Sequence, residues 1–271
     1  MPLLGLPEPY DFDRSTARFR RWGRDLANLW DGKALWRAVD GRAVRIARGD
    51  GGVDVEPLDA STTPVVRKLL GAEFDLDAFA AFAAAEPVLA GVVASQRGLR
   101  PPLAPGPFEA LVTSITAQQV SLHAAFAIRS RFVERFGAQV GPVWSFPARE
   151  RVAAAEEPEL VALGFSRRKA EYVVGLARSD IDLDGLAVLP DAEVKERLVA
   201  LRGIGEWTAE WFLARHLARP RAWPVGDIGL RKAVAHFYGD PDERAARPRF
   251  EPFENLSAHY LLGALYAGVG S

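Results

Sequence analysis

The 271-residue chain contains no cysteine, which excludes disulfides, thiolate zinc sites and iron–sulfur clusters. Histidine is scarce too. His123, His216, His236 and His259 are scattered, without the close His-x-x-x-His or His–carboxylate spacing of a metal site. No apolar run approaches the roughly 20 residues a membrane-spanning helix needs, so no membrane partner is expected. The opening Met-Pro-Leu-Leu-Gly-Leu-Pro is too short for a signal peptide and lacks a basic flank, which makes cytoplasmic location the expectation. Charge of one sign is also missing: 34 basic against 35 acidic residues give a net −1. A protein that coats nucleic acid commonly has a basic surplus, but one that grips a few phosphates through backbone amides and a local patch needs none.

What is present is an ordinary globular composition, 49% hydrophobic. Up to about residue 70, short segments at 34–39, 42–47 and 52–56 alternate apolar with polar residues, as half-buried antiparallel strands do. Asp40-Gly41 and the Gly-Asp-Gly-Gly at 49–52 supply their turns, and a helix is expected over 16–30. Beyond residue 70 the apolar spacing becomes helical. Pro107 fits the first turn of a helix running to about Ala117. Ser121, Ser166, Asp191 and Asp227 read as N-caps of later helices, and 252–267 as the last one. The fold class is α+β: an antiparallel sheet domain at 1–70, then an α-helical region at 71–271 in two lobes with a cleft between them.

Residues 201–211, Leu-Arg-Gly-Ile-Gly-Glu-Trp-Thr-Ala-Glu-Trp, carry the strongest signal. A Gly-x-Gly turn between two helices leaves backbone N–H groups open at the positive end of the second helix, which seats a phosphate. Asp227 follows at close range and would start a third helix. A phosphate grip with a carboxylate just downstream points to an enzyme working on a nucleic acid backbone.

This stretch resembles the helix-hairpin-helix signature of the HhH-GPD DNA glycosylase superfamily, and Trp-Thr-Ala at 207–209 resembles its DNA-3-methyladenine glycosylase II branch. The stretch 108–121, Phe-Glu-Ala-Leu-Val-Thr-Ser-Ile-Thr-Ala-Gln-Gln-Val-Ser, is similar to a second signature of that branch. Gly-Phe-Ser-Arg-Arg-Lys-Ala at 164–170 is similar to a third, and Pro-Tyr-Asp-Phe at 9–12 to the family's opening. The resemblance implies a monofunctional glycosylase that flips out and hydrolytically excises alkylated bases from double-stranded DNA. It would work as a monomer and need no cofactor; some relatives carry a four-cysteine cluster, which this chain cannot. Two alternatives stay open: a glycosylase of the same architecture for hypoxanthine or an oxidised purine, and a helix-hairpin-helix scaffold that binds without chemistry.

The resemblance also assigns roles. Asp227, in the segment 224–238, would stabilise the positive charge that builds on deoxyribose as the base leaves. The alternative is that it only caps a helix. Trp207 stands where bifunctional relatives have a Schiff-base lysine, so no backbone cleavage is expected. Trp207 and Trp211, four residues apart on one helix face, would stack on a cationic flipped base, unless they are simply core. Phe19 and Tyr260, with Tyr266 as the alternative, would complete the pocket, and Gly229 suggests a more open one. Gly203, Ile204, Gly205 and Thr208 belong to the phosphate-gripping hairpin (199–211). Gln118 and Gln119 sit at the DNA-binding junction where the 108–117 helix should break, Gln119 matching the residue that plugs the gap left by the flipped base, unless the two are a solvated polar pair in a loop. Ser166, Arg168 and Lys169 would hold a second phosphate. Carbonyls near Val199, Leu201 and Ile204 match those that hold a monovalent Na+ or K+ ion in the family.

Overall fold

The computed structural model describes residues 2–240 and 242–268; residue 241 and residues 269–271 of the expected helical region lie outside the described residues. The chain opens with β1 (Leu3–Gly5), α1 (Phe12–Thr16) and α2 (Arg18–Arg21), then β2 (Asn28–Trp30), β3 (Ala34–Val39), β4 (Arg42–Gly49) and β5 (Gly52–Glu56). These strands form one antiparallel sheet in the order β1-β5-β4-β3-β2. The alternation read from the sequence buries Leu35, Val44, Ile46, Val53 and Val55, which α3 (Thr62–Leu69) covers with Val66 and Leu69.

The single helix expected over 16–30 does not form. Gly23 takes φ +107, outside the helical region, and ends the turn after Trp22. The buried Asp25 carboxylate then accepts from the Ala27 and Asn28 amides and the Asn28 side chain, which turns the chain into β2.

Helices follow: α4 (Leu76–Ala83), α5 (Pro87–Ser95), α6 (Pro107–Ala117) and α7 (Leu122–Phe136). A two-strand ribbon, β6 (Gln139–Val140) and β7 (Val143–Trp144), leads into α8 (Arg149–Ala153), α9 (Glu157–Ala162), α10 (Arg167–Arg178) and α11 (Asp191–Val199). Last come α12 (Glu206–Arg215), α13 (Ile228–Tyr238), α14 (Glu243–Ala246) and α15 (Glu254–Gly268). One apolar cluster, reaching from Phe74 to Leu262, holds them together. Caps fall at Ser121 and Ser166 as the sequence predicts, each hydroxyl accepting from the amide three residues on. At α11 the cap is Pro190, and Asp191 lies in the first turn, where its charge still favours the helix dipole.

Sheet and helices are joined by a buried charge cluster. Glu109 on α6 accepts from Arg37 of β3 at 2.9 and 2.6 Å and from Arg129 of α7 at 2.5 Å. Arg129 also pairs with Asp25. Two cations thus face two carboxylates in the seam between sheet and bundle.

Candidate active site and nucleic-acid groove

Asp227 is the N-cap of α13, with Oδ1 accepting from the Leu230 amide at 2.9 Å. Its second oxygen, Oδ2, accepts from two indoles, Trp207 Nε1 at 2.9 Å and Trp211 Nε1 at 3.1 Å. The four-residue spacing on α12 brings both donors to one side, so the acid is fixed from two helices. The loop delivering it is braced as well. The Trp223 amide donates to Glu210 Oε2 and the Gly226 amide to Glu243 Oε1, each at 2.9 Å.

Trp211 does not offer the stacking wall expected of it. It is 2% exposed, the Arg215 guanidinium lies 3.5 Å from its ring centroid, and His259 meets it edge-on at 5.6 Å. With that ring covered, its contribution to the site is the N–H that aims Asp227. Burial pulls Arg215 well below its ordinary pKa and Arg18 pushes the same way, while Asp227 and Tyr266 oppose them. Trp207 is only half-buried and keeps surface toward solvent.

Two further pocket expectations are corrected. Phe19 is buried on α2 in the apolar cluster of the sheet, which also holds Leu35 and Val44. Tyr260 is buried in the helical core, where its hydroxyl donates to Leu99 O at 2.7 Å and its ring meets Phe79. The aromatic beside Asp227 is Tyr266, a turn and a half further along α15. A Cβ built on Gly229 would lie 2.7 Å from the Tyr266 hydroxyl and 3.1 Å from Asp227 Oδ1, so Tyr266 and Asp227 occupy the space beside Gly229. Trp22 packs edge-on against both Tyr266 and His123, each at 5.2 Å. Sequence reading missed Trp22 and His123. The signal was faint: Trp22 lies three residues past Phe19, and only the break at Gly23 separates the two.

The expected phosphate-gripping residues do converge. A groove of about 500 Å³ is lined by 118–120 after α6, by Ser166, Arg168, Lys169 and Tyr172 of α10, and by the hairpin glycines with Ile204. Gly205 caps α12 without a side-chain hydrogen bond, which leaves first-turn amides open to an anion. Arg168 is exposed, and Ser166 both caps α10 and faces the groove. Lys169 differs from expectation: its ammonium is buried and donates to Thr116 O at 2.9 Å, capping α6 rather than reaching outward. Desolvation lowers its pKa. Thr208 is buried and accepts from Gln118.

Gly203 has φ +88, and a Cβ there would enter the Tyr172 ring. Gly203→Ala should therefore strain the backbone and push the ring aside, destabilising the fold by about 1–3 kcal/mol. Urea unfolding measures that loss, and a duplex-binding titration should show weaker affinity for undamaged DNA. An unchanged midpoint with unchanged affinity would mean the hairpin tolerates a side chain.

Val199 ends α11, Leu201 follows it with its carbonyl accepting from the Ile204 amide at 3.1 Å, and Ile204 immediately precedes the Gly205 cap of α12.

Against this geometry stand the comparisons with known proteins. A family model described as HhH-GPD superfamily base excision DNA repair protein matches residues 112–256. A DNA-3-methyladenine glycosylase of Bacillus subtilis is 32% identical over 193 residues, covering 67% of this chain and 64% of that protein. The chain spans only 57% and 64% of the length of the two Bacillus subtilis relatives it matches. The solved 3-methyladenine DNA-glycosylase of Archaeoglobus fulgidus superposes with a TM-score of 0.88 at 25% identity, over 100% of both chains. A Clostridium acetobutylicum 8-oxoguanine glycosylase/lyase bound to DNA shares the fold alone, with a TM-score of 0.81 at 16% identity over 96% of this chain and 93% of that one.

Proposed function

The chain belongs to the HhH-GPD superfamily of base excision DNA repair proteins, and from that membership we propose that it is a monofunctional DNA glycosylase for alkylated bases of the 3-methyladenine type. One observation carries the reading: Asp227 Oδ2 is held by two indole N–H groups at the start of α13, beside a groove whose hairpin amides can seat a phosphate. The substrate is a damaged base in double-stranded DNA. Its extrusion brings the sugar to Asp227 and the base toward Trp22, Tyr266 and Trp207. An alkylated purine that carries positive charge is already a good leaving group. Stacking plus one carboxylate then suffices, without a strong general acid.

Asp227 would stabilise the cationic sugar and orient the attacking water. Trp207 offers no amine for a Schiff base, so the abasic product stays uncut. Gln119 would fill the vacated space in the duplex, and Arg168 would hold a second phosphate with the α10 amides. No cofactor enters the chemistry. A monovalent cation at the carbonyls of Val199, Leu201 and Ile204 would draw the hairpin's electrostatics toward a phosphate. The protein would act as a monomer on cytoplasmic DNA. Among the described residues no helix is long and apolar enough to cross a membrane.

The test is direct: incubate the protein with methylated duplex DNA and separate released bases by chromatography. Release of 3-methyladenine supports the proposal. Release of only hypoxanthine or 8-oxoguanine from matching duplexes would move the substrate class, and no release from any would leave a binding scaffold. Within the proposal, Trp22→Ala should slow release roughly tenfold, the worth of one lost base–aromatic stack. Affinity for undamaged duplex should stay within a few-fold, and a parallel loss there would assign Trp22 to the fold instead.

A further inference from the structure

Two parts of the groove touch through one side chain. Gln118, half-buried after α6, donates from Nε2 to Gly203 O at 3.0 Å and to Thr208 Oγ1 at 3.0 Å. The first partner is the hairpin glycine at φ +88, the second lies in the opening turn of α12. Next in sequence, Gln119 is exposed and sits at φ +55, in the left-handed region that few non-glycine residues occupy. Such a conformation persists only when its surroundings impose it. Here the preceding residue is pinned to the hairpin, and the end of α6 is pinned by Lys169 Nζ on Thr116 O at 2.9 Å.

We propose that Gln118 is a positioning residue that locks the Gln119 corner to the phosphate-gripping hairpin, so that gripping the backbone and filling the duplex are one event. The inference rests on the glycosylase reading, but its mechanical content is separable from excision. Both amide hydrogens of Gln118 Nε2 are engaged, which ties the residue before the left-handed corner to the hairpin and to α12 at two points. A phosphate drawn to the amides after Gly203 therefore meets Gln119 already projecting, pre-organised for the gap rather than ordered on arrival.

Gln118→Leu keeps the volume and removes both bonds; Thr208→Val removes one from the other side. The readout is 2-aminopurine placed next to a methylated base, whose fluorescence rises on extrusion whether or not the base is then cleaved. Gln118→Leu should lower the extrusion constant and kcat on duplex by roughly tenfold, as expected for lost hydrogen bonds. The Kd for undamaged duplex should move by less than about threefold, because the hairpin amides remain. Thr208→Val should give a smaller loss, and the double variant no more than Gln118→Leu alone. Unchanged extrusion in Gln118→Leu overturns the proposal. So does an equal loss in duplex affinity and thermal stability, which marks a purely structural bond. If wild type extrudes but releases no base, the glycosylase reading fails while the coupling is still measured.

Discussion

Asp227→Asn should abolish base release while leaving a folded, DNA-binding protein. A carboxylate about 4 Å from a developing oxocarbenium charge, at an effective dielectric constant near 20, contributes about 4 kcal/mol, or roughly 10³ in rate. Asparagine removes that charge and almost none of the volume. The structural effect should be small but measurable. Both aspartate oxygens accept hydrogen bonds, Oδ1 from Leu230 and Oδ2 from the two indoles, whereas asparagine has one acceptor. Whichever way the amide turns, its NH₂ faces a donor, at a cost of about 1–3 kcal/mol. The measurement is single-turnover release of 3-methyladenine beside a thermal melt. A fall of at least about 100-fold with the melting transition retained assigns the chemistry to this charge. Activity within threefold of wild type would leave Asp227 as a cap and no more.

Much of this site was legible because its parts are local in sequence. The Gly-x-Gly hairpin, the two tryptophans four residues apart and the cap at Asp227 all follow from short-range rules of helix geometry, and the structure places them together. The three main strands followed from alternation, for the same reason. What stayed hidden depends on which side of an element meets which neighbour. Phe19 and Trp22 differ by less than one helical turn, yet one fills the sheet core and the other meets Tyr266. Tyr260 and Tyr266 lie on one helix whose apolar residues are spread round its circumference, so composition gives no preferred face. The Lys169 ammonium reads in sequence as part of a basic surface run, and only the approach of α10 to the end of α6 turns it inward. A covered tryptophan face is equally invisible without the position of Arg215.

The seam that joins sheet and bundle should be the protein's most sensitive point to a single buried change. Burial alone would push the Glu109 carboxyl up, but Arg37 and Arg129 outweigh it and hold the pKa below its ordinary value. Burial pulls the other way on the Arg37 guanidinium too, but Glu109 and, less strongly, Asp25 hold it above its ordinary value. Glu109→Gln leaves two guanidinium groups facing the single charge of Asp25, and stability should fall by about 3–5 kcal/mol. Equilibrium unfolding in urea measures this. A glutamate with a depressed native pKa contributes stability that is complete above its unfolded value, near pH 4.3, and lost as pH falls through the native one. The variant should therefore lose that acid-dependent component as well as its overall margin. Replacing the Arg37–Glu109 pair together by apolar residues of similar size should recover much of the loss, because the desolvation of both charges disappears with them. The consequence for activity runs through the backbone. Asp25 and Arg129 fix the chain three residues past Trp22, and Glu109 lies in the first turn of α6, whose C-cap is Gln118. Loosening the seam should thus slow base release beyond what the unfolded fraction accounts for, and release proportional to folded protein would show the seam to be structural alone.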